Sequence, residues 1–286
     1  MNGIFKLTLA SSVLALAACA NVNVNQVNQG LTALQKMSQA KSNDPAVDLT
    51  LGMDFSARLL GAAKLDRDLA MQRYVNQVGT WVALQSDQPK LHWRFGVLDA
   101  PQINAFSGPG GYIFITRGLY QTLRNESELA CVLGHEIAHV TQRHHASAKA
   151  NEGLYELGAL ALDAAASNYS RNSGSLDANQ RAEMSKNMIK GFVGEWALRG
   201  FDRKQEFEAD RIGVVLCARA GYNPFGLIGT LQTLQQYRRE DGPVSWMFST
   251  HPSLDDRLRE LDAAMGDKLD AYTKTSESGN FSRFKR

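Results

Sequence analysis

Two histidines four residues apart, in His135-Glu136-Ile137-Ala138-His139, constrain this chain more than any other feature. On a helix, positions i and i+4 lie on one face, one turn apart. Two imidazoles so placed can bind a single tetrahedral metal ion. Glu136 is rotated by about 100° from His135, so it stands beside the metal and can act on a water there. This is why the spacing serves metal-assisted hydrolysis. The surrounding sequence predicts a helix from Glu126 to about Ala146. Asn125 is its N-cap, and Glu128 follows three residues on, as in a capping box. Leu129, Val132, Leu133, Glu136 and Val140 form no clean stripe, so the helix is apolar on most sides and reads as central and buried. Three polar residues in such a helix are costly without partners. A solvated His/Glu cluster is the plain alternative.

A catalytic zinc site takes three protein ligands and leaves one position open. Glu206-Phe207-Glu208-Ala209-Asp210 offers the third. Glu206 and Asp210 are four apart on one helix face. Glu206 can bind the metal while Asp210 accepts a hydrogen bond from a ligand histidine, His135 by preference, fixing its tautomer and ring orientation. Glu208 is turned about 200° from Glu206 and reads as a solvated charge or salt-bridge partner. The His/His/carboxylate set points to zinc, one per chain, although affinity alone does not exclude other metals.

Around these motifs the chain predicts helices over residues 46–63, 65–85, 203–220, 224–239 and 253–265, with Gly221 and Pro224 as stop and start signals. Residues 92–98, 103–106 and 112–116 read as short strands, with Trp93, Phe95 and Val97 on one face of the first. Ser107-Gly108-Pro109-Gly110-Gly111 makes the last two a hairpin. Residues 140–205, 66 in all, separate His139 from Glu206. That is long for a helix connection. Within it, 147–200 is Ala- and Gly-rich helical material broken at 170–179, either a lid over the site or a rigid hairpin completing the core. His144 and His145 lie off the ligand spacing and read as helix surface; His92 has no role. The tail, 267–286, is polar and reads as mobile. A formal net charge of +2 gives no electrostatic case for nucleic acid.

The N-terminus reads as a processing signal. Residues 1–6 carry one positive charge, residues 7–18 are an apolar stretch too short to span comfortably, and Leu16-Ala17-Ala18-Cys19 follows. A Cys after Leu-Ala-Ala resembles the bacterial lipobox, which implies cleavage after residue 18 and lipid attachment to Cys19. Residues 19–45 then form a tether, and 46–266 the folded domain. Ala20 after the Cys favours the periplasmic face of the outer membrane over the inner one, by resemblance to Gram-negative lipoproteins. An oxidising compartment permits a disulfide between Cys131 and Cys217, but two buried thiols are the commoner outcome for cysteines in apolar helices.

HEIAH followed by EFEAD resembles the HtpX and CAAX-prenyl-protease family of zinc metallopeptidases, in particular its small periplasmic lipoprotein branch. The likeness extends over residues 93–261. It implies an α+β, zincin-like (glutamate-zincin) fold: a small sheet packed on the HEIAH helix, the rest mainly helical. It carries His135, His139 and Glu206 over as metal ligands and Glu136 as catalytic base. Asn104-Ala105-Phe106 and Gly110-Gly111-Tyr112 are similar to the edge strand and hairpin of the wider clan, where the edge strand pairs with substrate by β-augmentation. Thr250-His251-Pro252 resembles a late His-Pro motif whose histidine stabilises the oxyanion, and Arg257 follows within two turns. The implied activity is membrane-anchored endoproteolysis of misfolded or misassembled envelope polypeptides. A chaperone-like lipoprotein, an adaptor with structural zinc and a hydrolase of another bond are the alternatives. Glu136 argues against the first two, because a binding module needs no general base.

Overall fold

The computed structural model describes Thr32 and residues 44–145, 201–237, 251 and 254–273, all but Thr32 within one compact unit. In chain order these residues form α1 (Pro45–Ala62), α2 (Leu69–Ala83), β1 (Arg94–Leu98), β2 (Ala105–Gly108), β3 (Tyr112–Thr116), α3 (Arg117–Thr122), α4 (Glu126–Thr141), α5 (Arg203–Arg219), α6 (Gly226–Tyr237) and α7 (Leu254–Met265). Cys19, the segment 147–200 and the tail beyond Thr273 lie outside the described residues. No described helix is long and apolar enough to cross a membrane.

Local chemistry sets the helix starts. Asp44, Asp68 and Asn125 each accept a hydrogen bond from a first-turn N–H of α1, α2 and α4. Asp202 closes a full capping box with Gln205 ahead of α5. The box expected at Asn125 is only half made: Glu128 turns back to Arg124, accepting from its backbone N and its Nε at 2.6 Å each. α4 also ends at Thr141 rather than near Ala146, and Arg143 takes φ 55° just beyond it. α6 begins at Gly226, two residues later than the proline signal implied.

The sheet has the order β1-β3-β2, with β1 parallel and β2 antiparallel to β3. The β2–β3 hairpin turns through Pro109–Gly111. Gly110 has φ 69°, and a Cβ there would lie 3.0 Å from the Leu49 Cα, so only glycine suits the turn. Strand β1 is covered on both faces from Phe95 to Leu98, not on the single face that alternation suggested. Its outer edge is closed by side-chain amides of α2. Gln72 Oε1 accepts from Val97 N at 2.9 Å and its Nε2 donates to Val97 O at 2.8 Å. Asn76 makes the same pair of bonds with Phe95. A bridge between Leu65 and Leu98 completes the closure. Among the described residues, β2 pairs with no further strand.

The core lies between this sheet, α2 and α4, with Val75, Val78, Ile113, Ile115, Leu129, Leu133 and Ile137 buried in it. Each such side chain contributes about 1.5–3 kcal/mol by leaving water. The apolar sides of α4 thereby hold the helix that carries the polar motif. Helices α4 and α5 cross at Gly134 and Gly213, where a Cβ on either would meet the other's backbone at 2.9 or 2.8 Å. Near the crossing, Cys131 and Cys217 form a disulfide, Cα to Cα 5.0 Å, rather than two buried thiols.

Candidate metal centre

The glycine crossing sets HEIAH of α4 against the first turns of α5. His135 Nε2 and His139 Nε2 stand 3.0 Å apart. Glu206 reaches both, with Oε2 3.7 Å from His135 Nε2 and Oε1 3.4 Å from His139 Nε2. His251 joins them: its Nδ1 is 3.0 Å from Glu206 Oε1 and 3.4 Å from His135 Nε2. One ligand atom from each of His135, His139, Glu206 and His251 lies within 4.8 Å of all the others, and all four residues are buried. Glu136 lies beside the group, Oε1 3.5 Å from His251 Nε2, and its buried Oε2 has no hydrogen-bond partner among the described residues.

These groups suit a metal ion. Two imidazoles and a carboxylate converge in a buried space, and an ion there would take lone pairs that otherwise face one another. Burial pushes the His139 imidazolium well below its usual range, so the ring is neutral and able to ligate. At Glu206, burial alone would raise the carboxyl. The charges of His251 and Arg257 outweigh it and hold the group well below the carboxylate range. Its position in the first turn of α5 adds the favourable end of the helix dipole.

The outer contacts match one expectation and revise others. His135 Nδ1 lies 2.9 Å from Asp210 Oδ1, the partner anticipated from the i+4 spacing. Arg257 pairs with Asp210 and Glu206, contacts that its place in the sequence does not name. His144 and His145 are not helix surface; they are 4% and 9% exposed. Because α4 stops at Thr141, the chain folds back and sets His144 Nδ1 2.8 Å from His139 Nδ1. Glu208, half-exposed, lies 3.3 Å from His144 Nε2. Phe201 stacks on His139, centroids 3.8 Å apart and 18° between planes, which no sequence signal suggested. On the sheet, Asn104 and Ala105 are buried and Phe106 half-buried at the outer strand β2. The Ala105 N–H is taken by Asn104 Oδ1 at 3.0 Å.

A three-stranded sheet over a helix bearing two imidazoles, with a glutamate from a second helix, defines a zincin-like α+β protein. The chain belongs to peptidase family M48, whose family model matches residues 69–265. It is similar to the beta-barrel assembly-enhancing protease of Yersinia pestis, 30% identical over 222 residues, covering 74% of this chain and 43% of that protein. The same-named protein of Escherichia coli strain K12 is 28% identical over 222 residues, covering 74% and 42%. The mitochondrial metalloendopeptidase OMA1 of Schizosaccharomyces pombe is 29% identical over 193 residues, covering 66% and 51%. The chain thus spans roughly half or less of the curated relatives it matches.

Proposed function

We propose that this chain is a zinc metalloendopeptidase of the bacterial cell envelope, with zinc held by His135, His139 and Glu206. The observation that carries the reading is the buried convergence of these three donors beside Glu136, one of whose carboxylate oxygens has no partner among the described residues. Membership of a peptidase family supports it. A zinc ion bound there would polarise the scissile carbonyl and lower the pKa of water. Glu136 takes the water proton and returns it to the leaving amine. His251 donates to the developing oxyanion. Asp210 fixes His135 with its proton on Nδ1, leaving Nε2 free. An extended peptide adds to the outer edge of β2 near Asn104, Ala105 and Phe106. With β1 closed by Gln72 and Asn76, β2 offers the free edge among the described strands.

Membrane attachment through a lipid on Cys19, at the periplasmic face of the outer membrane, is part of this proposal. The Cys131–Cys217 disulfide supports an oxidising compartment. The substrate class, misfolded or misassembled envelope polypeptides, draws support from relatives named for β-barrel assembly. Metal analysis of the purified protein alongside casein digestion, with and without a chelator, tests the reading. Glu136→Gln should keep zinc and lose hydrolysis, whereas His135→Ala, His139→Ala or Glu206→Ala should lose zinc. Digestion indifferent to the chelator overturns it. Palmitate labelling that tags Cys19→Ser as strongly as the wild type removes the lipid assignment.

A further inference from the structure

Each ligand histidine on α4 has a second ring nitrogen facing away from the donor cluster, and that nitrogen must be satisfied in a buried site. For His135 it meets Asp210 directly. For His139 it meets another imidazole: Nδ1 lies 2.8 Å from His144 Nδ1. Two imidazole nitrogens at hydrogen-bond distance need one donor and one acceptor. His139 Nε2 faces Glu206 and His135 and must present a lone pair to bind metal, so its proton sits on Nδ1 and is donated to His144. His144 Nδ1 is then the acceptor and its proton sits on Nε2, 3.3 Å from Glu208 Oε2. The chain of donors closes without conflict, and it ends on a carboxylate that reaches solvent.

We propose that His144 and Glu208 form a relay that orients His139 for metal binding, the counterpart of Asp210 at His135. The inference rests on the reading that His139 holds zinc. It gives each acidic residue of the EFEAD motif a role toward the two histidines: Glu206 beside them, Asp210 behind His135, and Glu208 behind His139 through His144. The early end of α4 makes the relay possible. A continued helix would carry position 144 about 140° around from His139. Instead, the turn at Arg143, φ 55°, brings the ring beneath it. Phe201 against the opposing face of His139 leaves the ring little freedom except the hydrogen bond that sets its rotation. His144 is a positioning residue; it does not touch the donor cluster's centre.

The test is the zinc dissociation constant of the full chain, measured by competition with a chromophoric chelator, together with the thermal midpoint of the metal-free protein. H144A is expected to raise the constant by about 10- to 100-fold, the usual scale for losing an outer partner. H144N, whose amide oxygen falls near the lost Nδ1 and accepts in its place, is expected to recover most of the affinity; H144Q, whose amide lies farther out, is not. E208A should weaken zinc in the wild type and add nothing in H144A, since the two act in series. An unchanged constant in H144A, equal weakness of H144N and H144A, or additive losses with E208A overturns the relay. So does a fall in the metal-free midpoint with no change in affinity, which marks a purely structural role. If H144A does not fold, the contrast between H144N and H144Q decides. A wild-type protein that binds no zinc overturns the metal reading itself, and the relay with it.

Discussion

Arg257 grips Asp210 with two prongs, Nε to Oδ2 at 2.8 Å and Nη2 to Oδ1 at 2.6 Å, with both side chains buried. Its third nitrogen, Nη1, lies 2.8 Å from Glu206 Oε2. One guanidinium therefore holds together the carboxylate that faces the metal position and the one that fixes His135. Burial would raise Asp210, but the charge of Arg257 outweighs it and keeps the carboxyl below its ordinary value.

Removing Arg257 leaves two carboxylates buried against each other. Breaking a buried pair in this way costs about 3–5 kcal/mol. Arg257→Met is expected to lower the urea midpoint of the metal-free protein accordingly. Asp210→Ala should weaken zinc affinity by about 10- to 100-fold, as loss of a ligand's outer partner does. A wild-type urea midpoint in Arg257→Met would refute the charge-balancing role.

His251 carries two contacts with different meanings. Its Nδ1 sits among the metal donors and its Nε2 lies toward Glu136. As an oxyanion partner, His251→Gln should retain full zinc and lose about 10²–10³-fold in kcat. Zinc loss in step with activity would instead assign His251 to the metal. The readouts are metal content by atomic absorption and steady-state peptide turnover.

The Cys131–Cys217 disulfide joins the two helices that carry the metal site across a sequence separation of 86 residues. On the chain-entropy account, a loop of that size is worth about 4–5 kcal/mol. The double variant Cys131→Ala, Cys217→Ala should unfold at a distinctly lower temperature, and reductant should lower the wild-type midpoint but not the variant's. Alkylation of both thiols in native protein never exposed to reductant would show that the bond is not there.

His145 supplies a pH dependence away from the metal. Burial pushes its imidazolium below the usual range, and Asp48, 3.8 Å away, offsets this only in part. The folded value lies below the unfolded one of about 6.5. The stability tied to the neutral ring is therefore complete above that pH and drains as the pH falls through it toward the folded value. His139 and His144 titrate in the same sense, so His145→Gln should flatten the slope rather than abolish it. Urea midpoints measured across about pH 5–8 would expose an unchanged slope, which is the refuting result.

What could be read from the chain was whatever local spacing encodes. HEIAH and EFEAD are each complete within five residues, so the faces they present follow from helix geometry alone. The hairpin followed from Gly110 and Gly111, and the start of α4 from Asn125. The crossing at Gly134 and Gly213 was hidden, because a glycine inside a helix does not name the helix it will meet. The partner of Arg257 was hidden for the same reason: Asp210 is 47 residues away and the pair exists only after folding. His144 was misread because its burial depends on α4 ending early, and no glycine or proline marks that end.

The amides of Gln72 and Asn76 along β1 also limit how copies of this chain can meet. A sheet open on both sides can add neighbours without end and grow into a fibre. Here one flank is already spoken for by side chains of the same molecule. Two copies joined through β2 would use up the flank that is open among the described residues, so assembly through the described strands terminates at a pair.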